Sequence, residues 1–260
     1  MSLPTLFISH GSPMLLVEDT AARDFLTGYA ETLPKPRGIV IASAHFGTSR
    51  PAVVGDAQPG MIYDFGGMPQ LRRLLYQAPG DPVAAVKVAG LLEAAGFAPA
   101  VVKDHGYDHG TWVPLMLLYP QADVPVLQLS VQPHLGPAHH VAVGRALASL
   151  KDEGFLVIGS GSATHNLAEF YSGAHAPDQP ALKWVADFIG WMHDKITDGR
   201  IDDLVRYRAL APHAAENHPT EEHLLPLFIA LGAAGDAVHG KRVHASTRNG
   251  VLAMDTYAFG

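Results

Sequence analysis

Fifteen histidines stand in a chain of 260 residues that contains no cysteine. Any metal ion must therefore sit on nitrogen and oxygen donors, and disulfides, thiolate zinc sites and a cysteine nucleophile are excluded. Three of the histidines close short apolar runs: His10 follows Leu6-Phe7-Ile8-Ser9, His45 follows Ile41-Ala42-Ser43-Ala44, and His165 lies a few residues beyond Val157-Ile158-Gly159-Ser160-Gly161. Apolar runs of this length read as strands, and the carboxyl ends of parallel strands share one edge, where α/β proteins bind ligands. Imidazoles distant in sequence can converge there. A single such histidine is equally well explained as a core residue bonded to a backbone carbonyl. Three on one edge point to a nitrogen-rich metal site.

Two further segments carry candidates. In Asp104-His105-Gly106-Tyr107-Asp108-His109-Gly110-Thr111-Trp112 the glycines permit sharp turns that aim a side chain inward, making His109 a candidate for substrate contact, with a histidine capping the next helix as the alternative. The segment Asn217 to Leu227 reads as a helix start, with Thr220 as N-cap and His223 in the first turn. Glu221 and Glu222 share that turn, where carboxylates favour the positive end of the helix dipole.

The elements that must position these residues alternate. Strands are expected over Leu3 to Ser9, Gly38 to Ala44, Ala100 to Lys103, Val124 to Val131 and Phe155 to Gly159; the second and last are continuous apolar runs, as in central strands covered on both faces. Helices are expected over Ala21 to Leu33, Pro69 to Tyr76, Pro82 to Ala95, Trp112 to Tyr119, Ala138 to Asp152, Ala181 to Thr197, Ile201 to Tyr207 and Glu221 to Leu231. Asn249-Gly250 suits a type I′ turn and predicts a β-hairpin between Arg242 and Phe259. The fold class is α/β: one domain over residues 1–260, a mainly parallel central sheet flanked by helices, and a C-terminal β-hairpin. Phe170 to Pro180 fits either an ordered loop or a lid.

A net charge of -7 and the absence of any Lys/Arg run remove the electrostatic basis for nucleic-acid binding, leaving a small-molecule substrate as the expectation. The N-terminal stretch lacks a basic region and is too short in apolar residues for a signal peptide or a membrane span, so a cytoplasmic protein with no membrane partner is expected.

Six segments, His10-Gly11-Ser12-Pro13-Met14, Ser43-Ala44-His45-Phe46, Asp64-Phe65-Gly66-Gly67, Asp108-His109-Gly110-Thr111-Trp112, His165-Asn166-Leu167 and Glu222-His223-Leu224-Leu225-Pro226-Leu227, together resemble the class III extradiol ring-cleavage dioxygenases, in the branch similar to DOPA 4,5-dioxygenase. The resemblance runs from residue 5 to the C-terminus. It implies Fe(II) held by His10, His45 and His223, His165 as the acid/base residue beside the metal, and His109 in the substrate pocket. It implies a catechol and O2 as substrates. The wider superfamily uses two histidines and a carboxylate; here His223 stands where the carboxylate would, with Glu222 and then His218 as alternative ligands. Zinc binds nitrogen sites more tightly than Fe(II) and competes for such a site in purified protein. The rival readings are a zinc-dependent hydrolase and a noncatalytic metal-binding interaction protein. Gly159-Ser160-Gly161-Ser162 is not the Gly-x-Ser-x-Gly elbow of serine hydrolases.

Overall fold

Strands β1 (Thr5–Ser9), β2 (Gly38–Gly47), β3 (Ala52–Val54), β4 (Ala100–Val102), β5 (Val126–Val131), β6 (Phe155–Gly161), β7 (Gly240–His244), β8 (Thr247–Arg248), β9 (Leu252–Ala253) and β10 (Thr256–Phe259) are interleaved with helices. The main helices are α1 (Ala21–Tyr29), α2 (Pro82–Ala94), α3 (His109–Leu118), α4 (Gly136–Ala146), α5 (Leu167–Phe170), α6 (Lys183–Thr197) and α7 (Leu225–Ala234). This computed structural model describes residues 3–235 and 239–260; the first two residues of the N-terminal stretch lie outside the described residues. Eight strands form one sheet in the order β4-β3-β5-β2-β6-β1-β10-β7, with β1, β2, β5 and β6 mutually parallel where they pair. β10 joins β1 antiparallel and β7 joins β10 antiparallel, so the C-terminal hairpin extends the parallel core.

Strand alternation assigns each side chain to a face. Phe7, Val40, Leu127 and Val157 pack on one side against α2, α4, α6 and α7. Ile8, Ile41, Val126 and Ile158 pack on the other against α1 and α3. Both faces are covered, which accounts for the uninterrupted apolar runs of β2 and β6.

Several expected elements differ at their ends. α3 begins at His109 rather than Trp112, because the Asp108 side chain accepts from Thr111 N and caps the helix. The helix expected to contain His223 begins only at Leu225, so His223 precedes it and Thr220 is not its cap. Pro226 has no N–H to return to the Glu222 carbonyl, so the regular helix starts around the proline, while 221–224 form a turn in which Leu224 N donates to Glu221 O at 2.9 Å. The span Pro69 to Tyr76 contains only the short 3₁₀ helix Pro69–Arg73, and the span 201–207 splits into Ile201–Leu204 and Tyr207–Leu210. β3 was not anticipated; three residues are too few for a periodic signal. At the hairpin tip Asn249 (φ 52°) and Gly250 (φ 65°) both take the left-handed conformation, and Val251 N donates to Arg248 O at 3.0 Å, as a type I′ turn requires.

Candidate metal centre

The register of the central strands brings two histidines together. Ser43 of β2 and Ile8 of β1 both pair with Ser160 of β6, which lies between them. His45 and His10 each stand two residues farther along and on the same face, so they flank β6 at its carboxyl end, with Nε2 atoms 3.1 Å apart. His45 lies within β2 rather than after it. His223 arrives from the opposite helical layer. A Cβ at Gly161 would lie 2.0 Å from the His223 carbonyl oxygen, and one at Gly159 2.0 Å from the Pro226 carbonyl oxygen, so only glycine at these β6 positions lets that segment close on the sheet edge. Ser162 N then donates to His223 O at 2.8 Å. His223 Nε2 comes to 3.3 Å from His45 Nε2.

The outer nitrogens of His10 and His223 are held by oxygen. Pro114 sits inside α3 and has no N–H for the Gly110 carbonyl four residues earlier. The Ser160 hydroxyl donates to that carbonyl instead. Its hydrogen being committed there, Ser160 Oγ accepts from His10 Nδ1–H at 3.0 Å, which leaves His10 Nε2 as a bare lone pair. The carboxylate of Glu222 accepts from His223 Nδ1 at 3.0 Å and fixes the same tautomer there. His45 Nδ1 is directed at Asp64 Oδ2, 3.6 Å away. Nε2 of His10 and Nε2 of His223 thus both approach Nε2 of His45, and the rings of His10 and His223 are braced from behind by an oxygen, the support usual for metal-bound histidines.

The rings stay neutral in this setting. Burial, then the neighbouring imidazoles, pushes His10 and His223 well below the usual histidine range. Burial and His109 bring His45 down to about 3 against the pull of Asp64, and burial brings His165 down to about 4 against Glu222. Neutral imidazole is the ligating form. Donors about 2.1 Å from an ion, spaced between right-angle and tetrahedral, stand about 3.0–3.4 Å from each other, so the 3.1 and 3.3 Å separations fit one bound ion.

The other sequence candidates gather around this point. His165 stacks on His223 with ring centroids 3.4 Å apart and planes at 11°. His109 lies 3.9 Å from His45 and 5.5 Å from His10, centroid to centroid, and its Nδ1 is 2.8 Å from Asp64 Oδ1. Burial works against ionisation of Asp64, yet the contacts with His109 and His45 outweigh it and hold this carboxyl below its usual range. Donor atoms of His10, His45 and His109 lie within 4.8 Å of one another, as do those of His165, Glu222 and His223; the His45–His223 contact joins the two groups. His218 is elsewhere: its Nε2 meets the Ala163 carbonyl at 3.0 Å and its ring packs beside Phe188 and Tyr207. Sequence reading passed over Ser160 and the bracing role of Asp64. The signal for Ser160 was its parity with His10 and His45 along adjacent strands; for Asp64 it was only membership of the Asp64-Phe65-Gly66-Gly67 segment.

The cluster opens into a cavity of about 270 Å³ whose apolar walls include Phe65, Leu167, Phe170 and Met254. That is near the lower end of the roughly 300–1,000 Å³ range for small-molecule sites. No helix among the described residues is long and apolar enough to cross a membrane.

A braced imidazole cluster at the carboxyl edge of an α/β sheet, beside a cavity of this size, defines a metal-dependent enzyme of small molecules. Over residues 4–259 the sequence matches the family described as the catalytic LigB subunit of aromatic ring-opening dioxygenase, and the chain belongs to that family of ring-cleaving enzymes. Its place is among the extradiol enzymes, in the DOPA-like branch. The chain is 42% identical, over 98% of its length and 96% of the relative's, to a Beta vulgaris protein named 4,5-DOPA dioxygenase extradiol. It is 38% identical to an Escherichia coli K12 protein of the same name, over 89% of this chain and 85% of that one. The crystal structure of an uncharacterized protein from Escherichia coli K12 has the same fold, with a TM-score of 0.82 and 31% identity over 99% of this chain and 100% of that one.

Proposed function

We propose that the chain is a non-haem Fe(II) extradiol dioxygenase that opens the ring of a DOPA-like catechol with O2. In this reading His10, His45 and His223 hold the iron, His165 transfers protons and His109 contacts the substrate. The observation that supports it is the approach of His10 Nε2 and His223 Nε2 to within 3.1 and 3.3 Å of His45 Nε2, with the Nδ1 sides of His10 and His223 held by Ser160 and Glu222. His223 is preferred to His109 as third ligand because its Nε2 stands in the same 3 Å relation to His45 Nε2 as that of His10. Glu222 is a brace, since its Oε1 already accepts from His223 Nδ1 and from the Thr220 hydroxyl.

His10, His45 and His223 would hold the iron, which when bound would supply Lewis-acid and redox chemistry for a catechol and O2. The protein does the rest. His165, neutral because of its burial, accepts the proton of a catechol hydroxyl on its unprotonated ring nitrogen and returns it as the ring opens. Stacking on His223 keeps it beside the ligands without using a ligand position. Asp64 holds His109 against the cavity wall, where an imidazole N–H can donate to a substrate oxygen. Phe65, Phe170 and Leu167 exclude bulk water from the ring face.

The test is anaerobic loading with Fe(II), followed by oxygen-uptake assays against a panel of catechols. Oxygen consumption with a coloured, conjugated semialdehyde product is expected. An iron-loaded, folded sample that takes up no oxygen across the panel, yet hydrolyses an ester or amide with zinc, would transfer the site to the hydrolase reading.

A further inference from the structure

Among the described residues lining the histidine cavity, Arg248 alone carries a fixed positive charge. The one lining carboxylate, Asp64, is engaged by His45 and His109. Arg248 ends β8, and the turn that follows is fastened to the stretch carrying Phe170 and Tyr171, which also line the cavity. Asn249 N donates to Pro177 O at 3.1 Å, Asn249 Nδ2 to His175 O at 3.0 Å, and Leu182 N to Gly250 O at 2.8 Å. The arginine is thus mounted on an anchored hairpin tip, with its side chain 19% exposed.

Its one ionic partner sits on the other side. Glu18 Oε2 lies 2.5 Å from Arg248 Nη2, and Glu18 lines a neighbouring surface depression, not the cavity. Arg248 borders both. One terminal nitrogen is engaged from outside, and the remaining donors of the planar fork are left for a group inside. In a chain of net charge -7 a guanidinium bordering an apolar-walled cavity is a local attractor for an anion.

We infer that Arg248 is a specificity-determining residue that binds a carboxylate on the ring substituent of the substrate. The inference rests on the catechol dioxygenase reading and adds the chemical class of the tail. A catechol bound by its hydroxyls at the histidine cluster directs its substituent toward the mouth, where the guanidinium pairs with a planar carboxylate through two parallel N–H donors. Glu18 acts as a positioning residue that keeps the fork at the mouth.

The experiment compares 3-(3,4-dihydroxyphenyl)propionic acid with its primary amide, which has the same size and ring but no charge. For the unaltered protein the acid is expected to exceed the amide in kcat/KM by about tenfold to a hundredfold. Arg248→Met should bring the ratio near unity, with the loss concentrated in KM for the acid. Arg248→Lys, which keeps the charge and loses the fork, should fall between. Anaerobic calorimetric titration of the iron-loaded protein with the acid should show binding weakened by about tenfold or more in Arg248→Met. If Arg248→Met does not fold, Arg248→Gln, which retains a donor for Glu18, is expected to give the same collapse. An unaltered protein with no preference for the acid, or a variant in which both substrates fall equally and the ratio persists, would overturn the inference and leave Arg248 as a fastener of the hairpin. Failure of the dioxygenase reading would look different: neither compound would consume oxygen, while calorimetry would still report whether the acid binds through Arg248.

Discussion

Buried and half-buried histidines occur in two parts of this molecule, and only one part is the candidate site. At the strand edge are His10, His45, His223 and His165; in the helical layer are His140 of α4 and His218. Burial lowers His140 and His218 to about 4, the same value as His165. Loss of basicity therefore does not separate the two sets. What separates them is where the nitrogens lead. His140 donates from Nδ1 to the Gly136 carbonyl at 2.6 Å and accepts from Gln132 N on Nε2 at 3.0 Å, so both nitrogens are spent within its own neighbourhood. At the edge, His10 and His223 have Nδ1 held by an oxygen and Nε2 turned to that of His45. His140 thus closes its own network and His218 spends Nε2 on a backbone carbonyl, whereas His10 and His223 turn Nε2 to that of His45.

Substitutions can break this contrast, and the largest effect is expected at the lone pairs. His10→Ala, His45→Ala and His223→Ala should each reduce iron retained after anaerobic reconstitution by more than about a hundredfold in affinity, since altering the outer brace of a ligand alone costs roughly 10- to 100-fold. Metal analysis after gel filtration reads this directly. Glu222→Gln should lose less, because an amide oxygen still accepts from His223 Nδ1. Full loading of His223→Ala together with loss in Glu222→Gln would make Glu222 the ligand.

His165→Gln comes next. It should keep its iron and lower turnover by roughly 10²- to 10⁴-fold, the usual contribution of a general acid/base group. Loss of iron from this variant would make His165 a ligand, erasing the distinction between the stacked ring and the three converging ones.

A smaller effect is expected behind the ligands. Ser160→Ala removes both the acceptor for His10 Nδ1–H and the donor to the Gly110 carbonyl. Iron affinity should fall by roughly 10- to 100-fold, measured by competition with a chelator. An unchanged affinity would show that the tautomer of His10 is set by something other than Ser160.

The smallest effect sharpens the other side of the comparison. His140→Gln should leave iron loading intact and change only stability. His140 is lowered to about 4 in the folded chain from an ordinary value near 6.5, so between these values the unfolded chain binds the extra proton. Its contribution is present above pH 6.5 and lost as pH falls toward 4, at up to about 1.4 kcal/mol per pH unit. Asp108 and Asp255, raised by burial to about 6, titrate with the opposite sign, but in both proteins alike. Denaturant unfolding between pH 7 and 4.5 should therefore give a shallower acid slope for His140→Gln; identical slopes would mean His140 does not titrate differently on folding.

Much of this was legible before the fold. Apolar runs ending in His10 and His45 announce strands that deliver imidazoles to one edge, because strand direction in a parallel sheet fixes where the run ends. His165 and His223 were less direct. His223 sits in a turn whose close approach depends on Gly159 and Gly161 of a different strand, and a segment-by-segment reading does not see a contact between elements 60 residues apart. The start of α7 was misplaced because the capping pattern at Thr220 was weighed above Pro226. Ser160 was passed over for a related reason: its importance comes from a carbonyl freed by Pro114 in a helix of the facing layer. Local pattern finds the candidate ligands, and the braces behind them belong to tertiary structure.

The most direct measurement is anomalous diffraction at the iron edge from crystals loaded anaerobically with Fe(II). One peak is expected about 2.1 Å from Nε2 of each of His10, His45 and His223, by comparison with metal–imidazole distances. His165 and His109 should lie outside that shell. A peak shared by His10, His45 and His109, the other grouping of donors within reach, or one bound by Glu222 in place of His223, would contradict the account.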